Sequence, residues 1–315
     1  MKRCFLYPGQ GAQYVGMGKD LYDEHESVRD LFAVASERAG FELSTLVFEG
    51  TEDEIKSTDK SQIAITTVNL AARRVLAERG IESVAAAGFS LGEYAALVDA
   101  GVLTEADGLA LVAERGRIME AVSRSLDAAG GAPGMAAVLG IDADAIQAAL
   151  AEAGIGDVYP ANLNSPVQTV LSGTATGLEA AAPVLKEAGA RRVVPLKVSG
   201  PFHSPLMEAA REQFRDVLSS VGFADPSKPV YSNVTGALIN TGDEARTLCA
   251  DQLVKPVRWV DEEALIARDG YDELLEVGPG EVLCGLWHGF IKANSDVTTP
   301  CLPAGTGEHI STITN

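Results

Sequence analysis

Strand-like and helix-like segments alternate along most of this chain. That order restricts the fold more than any other feature, because it places parallel strands in one sheet with helices packed on its faces. Phe5-Leu6-Tyr7 reads as a buried first strand that stops at Pro8-Gly9. Residues 27–38 carry Val28, Leu31, Phe32 and Ala35 at helical spacing, and residues 61–79 repeat the pattern before Gly80. Residues 84–88 are predicted to form a short strand. Its three alanines have little intrinsic preference for that state, so burial must stabilise it. Two more strands are predicted at residues 229–232 and at residues 273–277, ahead of Gly278-Pro279-Gly280.

The composition shifts near Asp127, where residues 128–134 (Ala, Gly and Pro only) read as a linker. Beyond it come a strand at 135–139, a helix at 142–153, strands near 158–161 and at 168–172, a helix at 177–188 and a strand at 192–196. This is the β-α-β-β-α-β order of a ferredoxin-like unit. The predicted fold is therefore α/β, with one mainly parallel sheet and an inserted ferredoxin-like subdomain. The large domain spans residues 1–127 and 198–292, the subdomain 128–197, and residues 293–315, where periodicity fades, are predicted to be a surface tail.

Composition narrows the function classes. The 315 residues suffice for one large domain carrying a smaller one, and a 46% hydrophobic content is that of an ordinary globular protein without a spanning apolar run. The opening segment reaches Pro8-Gly9 too soon for an apolar leader, so a cytoplasmic location is expected. Cys4, Cys249, Cys284 and Cys301 are scattered, with no C-x-x-C pair and no histidine at ligand spacing. Reduced thiols, no metal and no disulfide framework are expected. A formal charge of −19 argues against nucleic-acid binding, which needs clustered cations.

The chemistry-bearing motifs lie at the ends of predicted strands. Gly88-Phe89-Ser90-Leu91-Gly92 fits G-x-S-x-G, a sharp strand-to-helix turn that exposes a serine hydroxyl in front of backbone N–H groups at a helix N-terminus. It reads either as a nucleophile elbow for acyl transfer or as a tight turn without catalysis. A serine needs a base, and His203, in a loop stiffened by Pro201 and Pro205, is the best placed of the four histidines; the alternative is a cap on the following helix. Arg115 sits on a helical stretch otherwise rich in apolar positions (Leu109, Leu111, Val112, Ile118), as a solvated residue or half of an ion pair, or as a bidentate clamp for a substrate carboxylate. Pro8-Gly9-Gln10-Gly11-Ala12-Gln13 follows the first strand and should emerge beside Ser90. It lacks the residues of a phosphate-binding loop, and its glycines leave room for a backbone oxyanion donor near Gln10.

Taken together, these segments resemble the malonyl-CoA:acyl carrier protein transacylases and the acyltransferase domains of fatty acid and polyketide synthases. The motifs run in that family's order: 5–13, 88–94, Arg115-Gly116-Arg117-Ile118-Met119, Asn162-Leu163-Asn164-Ser165-Pro166, Gly200-Pro201-Phe202-His203-Ser204, 251–257 and 276–280. The resemblance implies Ser90 as nucleophile, His203 as base, Arg115 as partner of the malonyl carboxylate, and the backbone N–H groups of Gln10 and Leu91 as oxyanion hole. The Gln252 carbonyl would orient His203 in place of an acid. Phe89, Met119, Asn162 and Phe202 would line the substrate pocket. The family usually has histidine where this chain has Phe89, which removes a polar contact to substrate.

The implied reaction is ping-pong transfer of malonyl from malonyl-CoA, through a serine ester, to the phosphopantetheine thiol of acyl carrier protein, with no cofactor. Rival readings are transfer of a methylmalonyl or acetyl unit, a serine esterase, and a non-catalytic binder of carrier protein. Carrier proteins are acidic, as is this chain, so docking calls for a local basic patch. Arg191, Arg192 and Lys197, with Lys186 nearby, supply one unless they form an ordinary solvated face.

Overall fold

The computed structural model describes residues 1–128, 133–198 and 200–314. Most of the expected linker, and Ser199 of the His203 loop, lie outside them. Eight strands are described: β1 (Arg3–Tyr7), β2 (Ala85–Gly88), β3 (Gly134–Leu139), β4 (Val158–Ser165), β5 (Gln168–Gly173), β6 (Arg192–Pro195), β7 (Glu273–Glu276) and β8 (Cys301–Pro303). They form two sheets. One is parallel, in the order β2-β1-β7-β8; the other is antiparallel, in the order β4-β5-β3-β6.

The parallel sheet is covered on both faces, as its near-continuous apolar strands require. Along β1 the side chains alternate: Phe5 and Tyr7 join a large core with Ile63, Val68, Leu97 and Leu111, while Cys4 and Leu6 join a second core with Trp259 and Trp287. The alanines of β2 do the same, Ala86 turning to the first core and Ala85 and Ala87 to the second. Small side chains there let the helix Gly92–Asp99 pack close to the sheet, and burial holds a segment of poor β-propensity in place. A third core, around Val138, Ile146, Leu171 and Leu185, belongs to the antiparallel sheet and its two helices, Ala143–Glu152 and Ala175–Glu187.

Two sequence expectations are corrected. Residues 229–232 do not form a strand of the sheet. Val230 makes only an isolated bridge to Ala86 and Tyr231 another to Leu238. The chain then turns, with the Gly236 N–H donating to the Ser232 carbonyl at 2.8 Å, before a ladder can extend. Nor is the segment after residue 293 a surface tail. β8 pairs in parallel with β7, and the helix Gly307–Thr312 follows it, with Ile310 and Ile313 buried in the large core. A three-residue strand is too short to display a period in sequence.

What positions the site is the register of β1 against β2. Tyr7 lies opposite Gly88, so both strands end together and the Gln10 loop and the Ser90 turn leave side by side. They also touch: a Cβ on Gly9 would fall 2.2 Å from the Phe89 carbonyl oxygen, and one on Gly92 would fall 1.9 Å from that of Tyr7. Neither position accepts a side chain.

Candidate active site

Ser90 and His203 are the only non-glycine residues with positive φ among the described residues, at 50° and 57°. Left-handed backbone costs such residues on the order of 1–3 kcal/mol, so the surroundings must hold it. At Ser90 they do so from both sides. The Asn233 side chain accepts from the Ser90 N–H at 2.6 Å and donates to the Gly88 carbonyl at 2.7 Å. A Cβ on Gly88 would sit 2.1 Å from the Gly92 carbonyl carbon, so this bend closes only with glycines flanking the serine.

The strained turn presents Ser90 Oγ to His203 Nε2 at 2.7 Å. On the other side of the ring, His203 Nδ1 lies 2.7 Å from the Gln252 carbonyl oxygen. A carbonyl only accepts, so Nδ1 carries the ring proton and Nε2 offers its lone pair to the serine hydroxyl. Burial, reinforced by the field of Arg115, lowers the His203 pKa to about 4 and keeps the imidazole neutral at neutral pH. Beside this pair, the Gln10 and Leu91 N–H groups donate to no acceptor among the described residues.

Arg115 is 1% exposed and makes no ion pair among the described residues. Its Nη1 donates to Gln62 Oε1 at 2.8 Å and its Nη2 to Gln252 Oε1 at 2.9 Å, while Nε has no partner among the described residues. The guanidinium carbon lies 5.4 Å from the centre of the Tyr94 ring. Two amide oxygens and a ring face hold the group flat without neutralising it. A buried cation of this kind has a large unmet affinity for an anion.

All three groups open into one cavity of about 190 Å³. Of the ten residues predicted for the site, eight line it: Gln10, Phe89, Ser90, Arg115, Met119, Asn162, Phe202 and His203. Leu91 and Gln252, both 1% exposed, sit behind the lining, as backbone donor and acceptor should. Phe89 packs edge-on against Trp259, with ring centroids 5.4 Å apart. Met135 on β3, Asn164 on β4 and Val170 on β5 form the facing wall, so the cavity lies between the two sheets. Lys197 stands at its rim, and Lys186, Arg191 and Arg192 are exposed and unpaired among the described residues. No group of His, Cys, Asp or Glu among the described residues is arranged to hold a metal, and no helix among them is long and apolar enough to cross a membrane.

Sequence reasoning missed three residues that hold the site: Gln62, Glu93 and Asn233. Glu93 was in plain view, directly after the G-x-S-x-G motif. Gln62 carried a signal too, as a polar residue on the buried face of the helix Thr58–Glu78. Asn233 follows the mispredicted strand at 229–232, and that error hid its turn.

Residues 4–299 match the family described as acyl transferase domain. The chain is 41% identical over 288 residues to the malonyl CoA-acyl carrier protein transacylase of Bacillus subtilis (strain 168), covering 90% of this chain and 89% of that protein. A solved acyl carrier protein S-malonyltransferase from Vibrio cholerae O1 biovar eltor superposes with a TM-score of 0.92 at 35% identity over the whole of both chains. The malonyl-transacylase in a holo complex with its type II PKS acyl-carrier protein superposes with a TM-score of 0.90 at 34% identity, covering 99% of this chain and 98% of that one.

Proposed function

The chain belongs to the acyl transferase domain family, and from that premise we propose that it moves a malonyl group from malonyl-CoA to the phosphopantetheine thiol of acyl carrier protein. The observation that carries this reading is a single cavity holding the 2.7 Å Ser90–His203 contact and a buried arginine with no carboxylate paired to it among the described residues.

In the first half-reaction His203 Nε2 takes the Ser90 Oγ proton as Oγ adds to the thioester carbonyl. The negative charge that develops on the carbonyl oxygen falls to the Gln10 and Leu91 N–H groups, which are free to donate. Coenzyme A leaves as its thiol with the proton from His203, and a malonyl ester remains on Ser90. The second half runs the same steps with the carrier protein's thiol as nucleophile, returning the proton to Ser90 Oγ. Arg115 holds the malonyl carboxylate throughout, its planar fork matched to that anion. Phe202, beside His203, narrows the space around the α-carbon and favours unbranched malonyl over methylmalonyl. No step calls for a cofactor, and a cytoplasmic location suits both substrates.

The antiparallel part is read as the ferredoxin-like subdomain. The strand order β4-β5-β3-β6 with two helices supports this, as does the β-α-β-β-α-β sequence of elements. The proposed boundaries remain residues 128–197 for the subdomain and residues 1–127 with 198–292 for the large domain, to which β8 and the last helix are now added.

Intact mass after incubation with malonyl-CoA, acetyl-CoA and methylmalonyl-CoA in turn tests the reading. A malonyl adduct is expected on the wild type and none on Ser90→Ala. An adduct retained by that variant would end the nucleophile assignment, and a preference for methylmalonyl or acetyl would end the substrate assignment.

A further inference from the structure

Behind the cavity lies a buried carboxylate that the mechanism above does not use. Glu93, on the first turn of the helix Gly92–Asp99, is 3% exposed. Its Oε1 accepts from the Asn233 backbone N–H at 3.3 Å and its Oε2 from the Gln252 side-chain amide. These two partners hold the rest of the site. Asn233 grips the Ser90 turn through the Ser90 N–H and the Gly88 carbonyl. Gln252 supplies the carbonyl that orients His203, donates to the Ser90 carbonyl at 3.1 Å and accepts from Arg115.

The geometry points to Glu93 as the positioning residue for this reaction, a two-sided acceptor that fixes the nucleophile turn through Asn233 and both the base and the carboxylate-binding arginine through Gln252. The inference rests on the acyl-transfer reading given above.

Both groups facing Glu93 present N–H, so only a side chain that accepts at both ends satisfies them, and among the natural side chains that is a carboxylate. The isosteric Gln would turn an NH₂ against one of these donors, and at 3% exposure no bulk water relieves the conflict. The arrangement also solves a problem of charge. A carboxylate in direct contact would occupy the Arg115 fork and compete with a substrate anion. Placed one amide away, across Gln252, Glu93 when ionised offsets part of the buried charge and leaves Arg115 open to the cavity.

The test is single-turnover acylation of Ser90, followed by intact mass with malonyl-CoA and with acetyl-CoA, on wild type and Glu93→Gln, with rates taken per folded molecule. Displacement of a reacting group by a fraction of an ångström to an ångström costs up to about 10²-fold. Glu93→Gln is expected to lose about that much with acetyl-CoA, through His203 and Ser90, and more with malonyl-CoA, through Arg115. The wild-type pH profile gives a readout that a merely structural role would not move. Burial, opposed by the Gln252 and Asn233 hydrogen bonds and by Arg115, raises the Glu93 pKa to about 7. The acylation rate should therefore fall as pH drops through neutrality, and Glu93→Gln should lack that limb. The charged and titratable groups facing Glu93 are Arg115, Glu262, Cys249 and Tyr94; burial raises the pKa of the last three, Glu262 with a further push from Glu93 itself, and the loss of the limb in Glu93→Gln assigns it to Glu93.

Where Glu93→Gln does not accumulate folded, Glu93→Asp replaces it: this keeps the charge but is one methylene too short to reach both partners, and a loss of at least about fivefold is expected. Acylation within twofold of wild type by the folded variant, or a neutral limb that persists in Glu93→Gln, would overturn the inference. If wild type itself forms no malonyl-Ser90, the acyl-transfer reading fails instead, so the two failures are distinguishable.

Discussion

The two sheets meet at one cavity but hold it by different means. β1 and β2 of the parallel sheet are buried at every residue, and their C-terminal ends lie in register, so the Gln10 loop and the Ser90 turn are clamped backbone against backbone. β6 of the antiparallel sheet is exposed at both ends, and that sheet contributes side chains of the facing wall, with exposed cations on and beside it and Lys197, just after β6, at the rim. The contrast separates two tasks. Atoms that must be placed to a fraction of an ångström are attached where the backbone has no latitude. The facing wall and the exposed cations sit on the more open half, where side chains change at less cost to the fold.

Arg115 offers the largest effect by which to probe the clamped half. A malonyl carboxylate entering the cavity loses hydration, and a fixed cation of matching shape compensates for that loss. Arg115→Ala should cost roughly 2–5 kcal/mol in kcat/KM for malonyl-CoA, the range for removing one member of a desolvated pair. Acetyl-CoA, which has no carboxylate, should lose little. Equal losses for both substrates would make Arg115 a structural residue and leave the dicarboxylic substrate without a physical argument.

The comparison can be sharpened with two alanines. Gly92→Ala would drive a Cβ to 1.9 Å from the Tyr7 carbonyl oxygen, and separation of β1 from the turn should cost about 1–3 kcal/mol or more. Gly156, between the helix Ala143–Glu152 and β4, has no atom of the described residues within 4 Å of the corresponding position. There the same change should be neutral, or stabilising by about 0.5 kcal/mol through the unfolded chain. Urea unfolding of both variants decides it. Similar losses at the two sites would erase the distinction between a clamped and an open half.

The same distinction governs what the sequence disclosed. Ser90 with its flanking glycines was legible because the bend admits no other residue types at that spacing, and His203 because few histidines were available and its prolines mark a fixed loop. β8 was not legible: Cys301, Leu302 and Pro303 have no period of their own and become a strand only against β7. Residues 229–232 failed for the opposite reason, an apolar run that begins like a strand and is cut short by the turn at Asn233. Gln62, Glu93 and Asn233 escaped because a buried polar residue looks like a surface one until its partners are known. Those partners lie 53, 159 and 143 residues away in the contacts that matter here.

A smaller effect lies in pH. An unfolded histidine takes up a proton near pH 6.5, whereas buried His203 does so only near pH 4. Between these values the unfolded chain binds the extra proton, so stability is retained above about pH 6.5 and falls as the solution is acidified towards pH 4. The loss attributable to this one group is about 2 kcal/mol between pH 8 and pH 5. Glu93 and Glu263, raised by burial to about 7 and about 8, act in the opposite sense and are shared by wild type and His203→Gln. The difference between those two proteins therefore isolates His203. A pH dependence of stability identical in both would place a solvated imidazole where the structure has a dry one.

The smallest expected effect concerns the open half. Lys186, Arg191, Arg192 and Lys197 are exposed and unpaired among the described residues, on a chain of formal charge −19. Lys197 also lines the cavity, so a carrier protein docked on these cations would have its phosphopantetheine arm at the entrance. Rim charges act mainly on association rate and salt dependence and contribute only about 0.2–1 kcal/mol each. Reversing two of them, Arg191→Glu with Arg192→Glu, should raise the carrier-protein KM about tenfold and flatten its rise with ionic strength. The rate of Ser90 acylation by malonyl-CoA should stay the same, since neither arginine lines the cavity. An unchanged KM with unchanged salt sensitivity would reduce the patch to an ordinary solvated face. A fall in acylation would show that the open half reaches the chemistry after all, and the division of labour between the two sheets would have to be redrawn.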